Sequence, residues 1–202
     1  DDVMAEVLAD QAFYESSGGG VTLSGGEPTM QMDFAHAILS RSKDAGIHTA
    51  IETNAHCRWE DLARLLQVTD LVMTDIKHMD PAVHRAVTGV SNARIIANHR
   101  RLMETDKPVI FRTPVIPTVN ASDEAIDAIA VYIRELGELR AASDADGDVP
   151  RLELLPFHKL AADKFRSLSL AYEARDLEAP DKEAMAGWVA VAAAHGIDVD
   201  TR

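Results

Sequence analysis

Short apolar runs alternate with amphipathic stretches along the whole chain, and this rhythm constrains the fold more than any other feature. Val3, Met4, Val7, Leu8 and Gln11 follow helical spacing, so an opening helix is expected to stop before Ser17-Gly18-Gly19-Gly20. A strand at 21–23 runs into Gly25-Gly26-Glu27-Pro28, and Phe34, Ala37, Ile38 and Arg41 mark a second helix ended by Lys43 and Gly46. Further strands are predicted at 48–53, 71–76, 109–116 and 152–155. Helices are predicted at 59–66 and 122–136, in patches from Asp80 and Asn92 toward Met103, and around Met185, Trp188, Val189 and Ala192. Five such strands alternating with helices imply parallel pairing through right-handed crossovers, in an open sheet or a barrel. A complete eight-unit barrel takes about 250 residues. With 202 residues, the expected α/β fold is a partial barrel or a fragment of one, as a single domain over 1–202.

The charge balance narrows the partners. Against 20 basic residues stand 33 acidic ones, a formal charge of −13, which argues against binding a nucleic-acid backbone. No apolar run approaches the roughly 18 residues of a membrane span. The start, DDVMAEVLAD, lacks the basic and apolar parts of a secretion signal, so a cytoplasmic protein is expected. One cysteine, Cys57, excludes an internal disulfide and any site built from several thiolates of this chain. Its neighbour His56 suggests a nucleophile pair, but adjacent residues seldom face one another productively. The segment 140–150, RAASDADGDVP, reads as an acidic surface connection, and its Asp144, Asp146 and Asp148 carry only part of a calcium-loop pattern.

In parallel α/β folds ligands sit beyond the carboxyl ends of the strands. Met73, Asp75 and Lys77 alternate at one such end and share a face, bringing an acid and a base into one space. Glu52-Thr53 ends another strand, and Arg112 sits within a third, where an unpartnered charge is unfavourable. Two readings stay open: an internal ion-pair lattice of Asp75 or Glu52 with Lys77 or Arg112, or a ligand-binding rim. Gly25-Gly26-Glu27-Pro28 is neither a phosphate loop nor a dinucleotide fingerprint; it is either a tight turn or a place where main chain meets a ligand. His158 follows the fifth strand and could reach the same rim. His36, His48, His56, His78, His84, His99 and His195 show no metal-ligand spacing.

Six ordered blocks together resemble the radical S-adenosylmethionine superfamily, and within it the activating enzymes of glycyl radical enzymes, the pyruvate formate-lyase activating type. They are SGGGVTLSGGEP at 17–28, GIHT at 46–49, TDLV at 69–72, DIKHM at 75–79, TGVSN at 88–92 and ELLPFH at 153–158. The resemblance implies a partial (β/α)6 barrel, matched here from the first crossover helix onward. The family's first strand and its CxxxCxxC loop, whose thiolates hold a 4Fe-4S cluster, have no counterpart. The chain is therefore expected to be a fragment of a longer protein, unable alone to hold the cluster or perform the reaction.

For the intact protein the resemblance implies an oxidoreductase that generates a glycyl radical on a partner glycyl radical enzyme. It would abstract hydrogen with a 5'-deoxyadenosyl radical, with flavodoxin or ferredoxin as electron donor. By the same resemblance the backbone of Gly25, Gly26, Glu27 and Pro28 accepts hydrogen bonds from the cofactor ammonium, with Gly26 the closest approach. Lys77 and His158 contact the carboxylate or ribose side, Asp75 positions Lys77, and Ile76 and Arg112 complete the cofactor set. Asp75 and Lys77 are the expected catalytic pair. Glu52, Thr53 and the Met73 carbonyl are expected beside a monovalent cation, although Glu52 stands where the best-known member has aspartate. Ala55 likewise stands where that member has glycine. Two other readings are a radical enzyme acting on a small molecule and a non-catalytic cofactor-binding barrel fragment. Without the first unit, the strand at 21–24 becomes an edge, so either dimerisation through it or a disordered start is expected.

Overall fold

The computed structural model describes residues 2–143, 149–159, 167 and 173–201. Its sheet comprises β1 (Gly20–Leu23), β2 (His48–Thr53), β3 (Leu71–Asp75), β4 (Val109–Val115), β5 (Arg151–Pro156) and β6 (Val199–Thr201). These six strands lie side by side in chain order, and every neighbouring pair is parallel. Right-handed crossovers between strands in this order put the helices on one face. Burial agrees. Ile51, Val72, Phe111, Val115 and Leu152 share one core with the helix residues Leu39, Leu62, Leu102, Ile126 and Ile133. Each of these large side chains contributes about 1.5–3 kcal/mol through removal from water. β4 alternates strictly between buried and half-buried residues, so Phe111 faces the helices and Arg112 the opposite, inner face.

Most predicted elements form: β2 spans the predicted residues, as does α4 (Trp59–Leu66). The opening helix is instead two, α1 (Asp2–Ala9) and α2 (Gln11–Ser17), broken where the Asp10 carbonyl accepts from the N–H groups of both Phe13 and Tyr14. A 3-10 turn at Pro28–Gln31 leads into α3 (Met32–Asp44). The helical patches resolve as α5 (Pro81–Thr88), capped by Asp80 through Ala82 and Val83, and α6 (Ala93–Leu102). Helix α7 (Asp123–Ala141) runs past the predicted end because Arg140, read as loop, is buried and donates to the carbonyls of Leu102 and Lys107. The last helix is α8 (Lys182–Ala193). β6 was not expected: three residues carry no readable alternation, and its place comes from pairing Leu152 with Val199. Asp144, Asp146 and Asp148 lie outside the described residues.

β1 is the edge, paired with β2 alone among the described residues. The residues before it are not disordered, as one expectation had it. They are helical, with Met4 buried and its Sδ accepting from the Ser42 hydroxyl at 3.9 Å. No helix among the described residues is long and apolar enough to cross a membrane.

The amino-terminal end of the sheet carries a clamp remote from the expected site. Asp70 pairs with Lys43 of α3 and accepts from the Thr49 N–H and hydroxyl, both at 3.0 Å. Burial works to raise the Asp70 pKa, but these donors outweigh it and hold the carboxyl at about 2, from an ordinary 3.8. A depressed acid stabilises the fold above its unfolded pKa and loses that contribution as pH falls through the folded value. Asp70→Asn is therefore expected to cost about 1–2 kcal/mol at pH 6, allowing for partial exposure, and almost nothing at pH 2. Urea unfolding of both proteins across that range checks this; a difference independent of pH would refute it.

Candidate active site

The carboxyl end of β1 passes through Ser24 into the double-glycine loop, where the two glycines differ. Gly25 has φ +103°, a conformation that side chains resist. Gly26 lies outside that region, and a Cβ added to it meets no atom within 4 Å. Among the described residues nothing requires glycine at 26. The loop is held by the Glu27 carboxylate. It accepts from the Thr29 N–H at 3.2 Å and hydroxyl at 2.9 Å, from the Thr53 hydroxyl at 2.7 Å and from the Asn54 N–H at 2.8 Å. The Glu27 side chain is thus a fastener between β1 and β2, leaving the main chain of 25–26 open. Pro28 is buried and starts the 3-10 turn.

Charged side chains line the inner face. In register, Asp75, Arg112 and Glu153 form one row across β3, β4 and β5. Arg112 joins Glu52 at 3.2 Å and Glu153 at 2.9 Å, and the other Glu52 oxygen accepts from the Ser24 hydroxyl at 2.7 Å. Lys77 and Asp75 meet at 2.6 Å. The ion-pair lattice therefore exists, and it stands at the rim. Arg112, expected to touch a cofactor, is engaged with two carboxylates. Of the expected cation ligands, Glu52 has both oxygens engaged. Thr53 is buried on the helix side, its hydroxyl donating to Glu27 and accepting from the Ala55 N–H at 3.1 Å. Ile76 puts its side chain in the core and donates its N–H to the Arg112 carbonyl of β4 at 2.8 Å. His158 is exposed, just past β5.

Beside Lys77 opens a cleft of about 320 Å³ lined by Asn54, His56, Asp75, Lys77, His84 and Thr88, within the usual size of a ligand site. None of Asn54, His56, His84 and Thr88 was assigned a place in the cofactor site from the sequence. Their signal was position, on the segments that follow β2 and β3. His84 is buried, with Nδ1 2.7 Å from the Val90 carbonyl. Behind the cleft, burial lowers the His99 pKa to about 3; the ring is neutral, bound to the Thr74 hydroxyl at 3.0 Å and set edge-on to Phe111. Ala55 takes φ +54° with its methyl fully buried, the left-handed backbone that glycine accepts more readily.

An iron–sulfur cluster does not fit these residues. Burial, then the Glu27 charge, push the Cys57 thiol up to about 11, so the chain's one sulfhydryl stays protonated. No group of three or more His, Cys, Asp or Glu residues suited to a metal occurs among the described residues.

Comparison with known proteins places this geometry. The model of the radical SAM superfamily matches residues 2–129. The chain is 37% identical to the (2S)-3-sulfopropanediol dehydratase activating enzyme of Klebsiella oxytoca over 179 residues, 88% of this chain and 54% of that protein. It is equally identical to the pyruvate formate-lyase-activating enzyme of Staphylococcus aureus over 191 residues, 92% of this chain and 72% of that one. The chain thus spans little more than half of the first relative and nearly three quarters of the second. The crystal structure of a domain of a pyruvate-formate lyase-activating enzyme from Bacteroides vulgatus superposes with a TM-score of 0.71 at 27% identity, covering 91% of this chain and 99% of that one. A radical SAM methyltransferase from Sphaerobacter thermophilus shares the fold, with a TM-score of 0.68 at 17% identity over 98% of this chain and 55% of that one. A partial parallel barrel with its polar rim at the carboxyl ends, and relatives of this identity over most of the chain, give one conclusion: this chain belongs to the radical SAM superfamily, among the activating enzymes of the pyruvate formate-lyase type.

Proposed function

We propose that this chain supplies the S-adenosylmethionine cradle and the substrate-facing rim of an enzyme that installs a glycyl radical on a partner enzyme. The observation that carries this is Gly26, a glycine with open space above it that no contact among the described residues requires. Main-chain carbonyls there accept from an ammonium, while Lys77, across the mouth, offers a cation to the cofactor's carboxylate or ribose side. Asp75, 2.6 Å from the Lys77 amine, directs that donor and balances its charge. Glu27 keeps the loop rigid from behind, so the cradle is set before the ligand arrives. His158, beyond β5, closes the ribose side in this reading.

In this reading S-adenosylmethionine and a 4Fe-4S cluster held elsewhere in the intact enzyme would together supply the radical that takes hydrogen from a backbone glycine. The cluster's thiolates belong outside these 202 residues, since Cys57 does not fit the role. The cleft beside Lys77 receives the partner's glycine-bearing backbone, and a flavodoxin or ferredoxin delivers the electron. A monovalent cation beside the cofactor would draw on main-chain oxygens such as the Met73 carbonyl, because the side-chain oxygens of Glu52 and Thr53 are engaged.

Calorimetry with S-adenosylmethionine tests the cradle on the chain itself. One saturable site is expected, weakened about tenfold or more by Lys77→Ala, the loss of one charge-assisted contact. No uptake, or uptake that Lys77→Ala leaves unchanged, would overturn the assignment.

A further inference from the structure

We propose that Asn92 and Asn120 are positioning residues for Lys77, an inference that rests on the cofactor reading of Lys77 above. Beyond β3 the chain leaves the sheet, and the carbonyls of Lys77, His78 and Met79 need donors from elsewhere. Two buried amides supply them. Asn120, 1% exposed in the segment between β4 and α7, donates through Nδ2 to the Lys77 carbonyl at 2.8 Å and the Pro114 carbonyl at 2.9 Å. Its Oδ1 accepts from the Ile116 N–H at 2.7 Å, which fixes the amide plane. Asn92, 4% exposed at the start of α6, donates through Nδ2 to the His78 carbonyl at 3.1 Å and the Met79 carbonyl at 2.7 Å. Three successive carbonyls are thus gripped from two sides by elements far apart in sequence. The Lys77 side chain leaves this anchored backbone toward Asp75, so its amine has a defined starting point as well as a defined partner.

The same chemistry recurs where it cannot act on Lys77. Asn98 is 3% exposed and donates to the carbonyls of Ala55 at 2.8 Å and Cys57 at 3.0 Å, pinning the segment after β2. It is the internal control. Losing any of the three amides strands two carbonyl acceptors, so all three alanine variants are expected to lose comparable stability. Coupling to Lys77 should belong to two of them only.

The experiment is a double-mutant cycle read by calorimetry with S-adenosylmethionine on the folded chain. Asn92→Ala and Asn120→Ala are each expected to weaken binding about tenfold in the parent background and negligibly in Lys77→Ala. Asn98→Ala should have the same effect on affinity in both backgrounds. Where an alanine variant does not fold, the serine variants Asn92→Ser and Asn120→Ser replace it. Hydrogen exchange on the parent chain adds a reading that needs no variant: the side-chain amide protons of Asn92 and Asn120 should be protected as core amides are. Unprotected side-chain amides, or losses in affinity that add fully to that of Lys77→Ala, would overturn the positioning role while leaving the cofactor reading intact. If Lys77→Ala itself leaves affinity unchanged, the cofactor reading fails, and the positioning role with it.

Discussion

Arg112→Met is expected to destabilise the fold by about 3–5 kcal/mol, the usual consequence of removing one partner from a buried charge cluster. The Arg112 side chain is 12% exposed and its guanidinium lies between two carboxylates, Glu52 at 3.2 Å and Glu153 at 2.9 Å, the latter wholly buried. Without it, Glu52 and Glu153 lose the cation that joins them, in a medium that screens their charges poorly. The loss should therefore come from the missing counter-charge more than from the arginine's packing contacts. Arg112→Met combined with Glu153→Gln should recover a large part of it, whereas Arg112→Met with a distant neutralisation such as Asp61→Asn should recover none. Urea unfolding at neutral pH measures each step. A cost below about 1 kcal/mol for Arg112→Met would mean that these pairs behave as screened surface pairs. Because Ser24 donates to the second oxygen of Glu52, the same variant should also loosen the double-glycine loop and weaken S-adenosylmethionine binding.

The lattice and the rim are two descriptions of one set of residues, which explains why the sequence supported both. The partners of Glu52 and Asp75 were readable because strand alternation alone brings Asp75, Arg112 and Glu153 to one face once their strands are parallel. That same alternation separates Glu52 from Thr53: neighbours in a strand point to opposite faces, so their side chains cannot meet at one ion, and Thr53 faces the helices. Three of the six blocks carrying the resemblance, at 17–28, 75–79 and 153–158, reach the carboxyl ends of strands, and most element boundaries followed from periodicity. The buried amides were not legible. Asn92 reaches carbonyls 13 and 14 residues away and Asn120 one 43 residues away, and no local pattern records a contact made only after the sheet assembles. Nor does periodicity announce Arg140, whose value lies in reaching the carbonyls that end α6 and precede β4.

The glycines offer the sharpest separation of fold from function, since each is required for a different reason. At Gly20 a Cβ would lie 2.0 Å from the His48 carbonyl oxygen across the β1–β2 ladder, so Gly20→Ala must displace backbone and should cost at least about 1–3 kcal/mol. Gly25→Ala meets no neighbour but must hold φ +103°, at a cost of about 1–2 kcal/mol. Gly26→Ala meets neither obstacle: its stability should be unchanged or up to about 1 kcal/mol higher, because alanine narrows the unfolded ensemble. Yet a methyl there would stand where the cofactor's ammonium approaches the main chain, and overpacking of that kind costs about 1–3 kcal/mol, or about 10–100-fold in affinity. Thermal unfolding and calorimetry on the three variants resolve the cases independently. Gly26→Ala binding S-adenosylmethionine as tightly as the parent would show that the open space belongs to solvent, and the cradle would have to be sought elsewhere on the rim. Full stability with lost binding would locate the ligand against residue 26, because no contact of that position among the described residues accounts for such a loss.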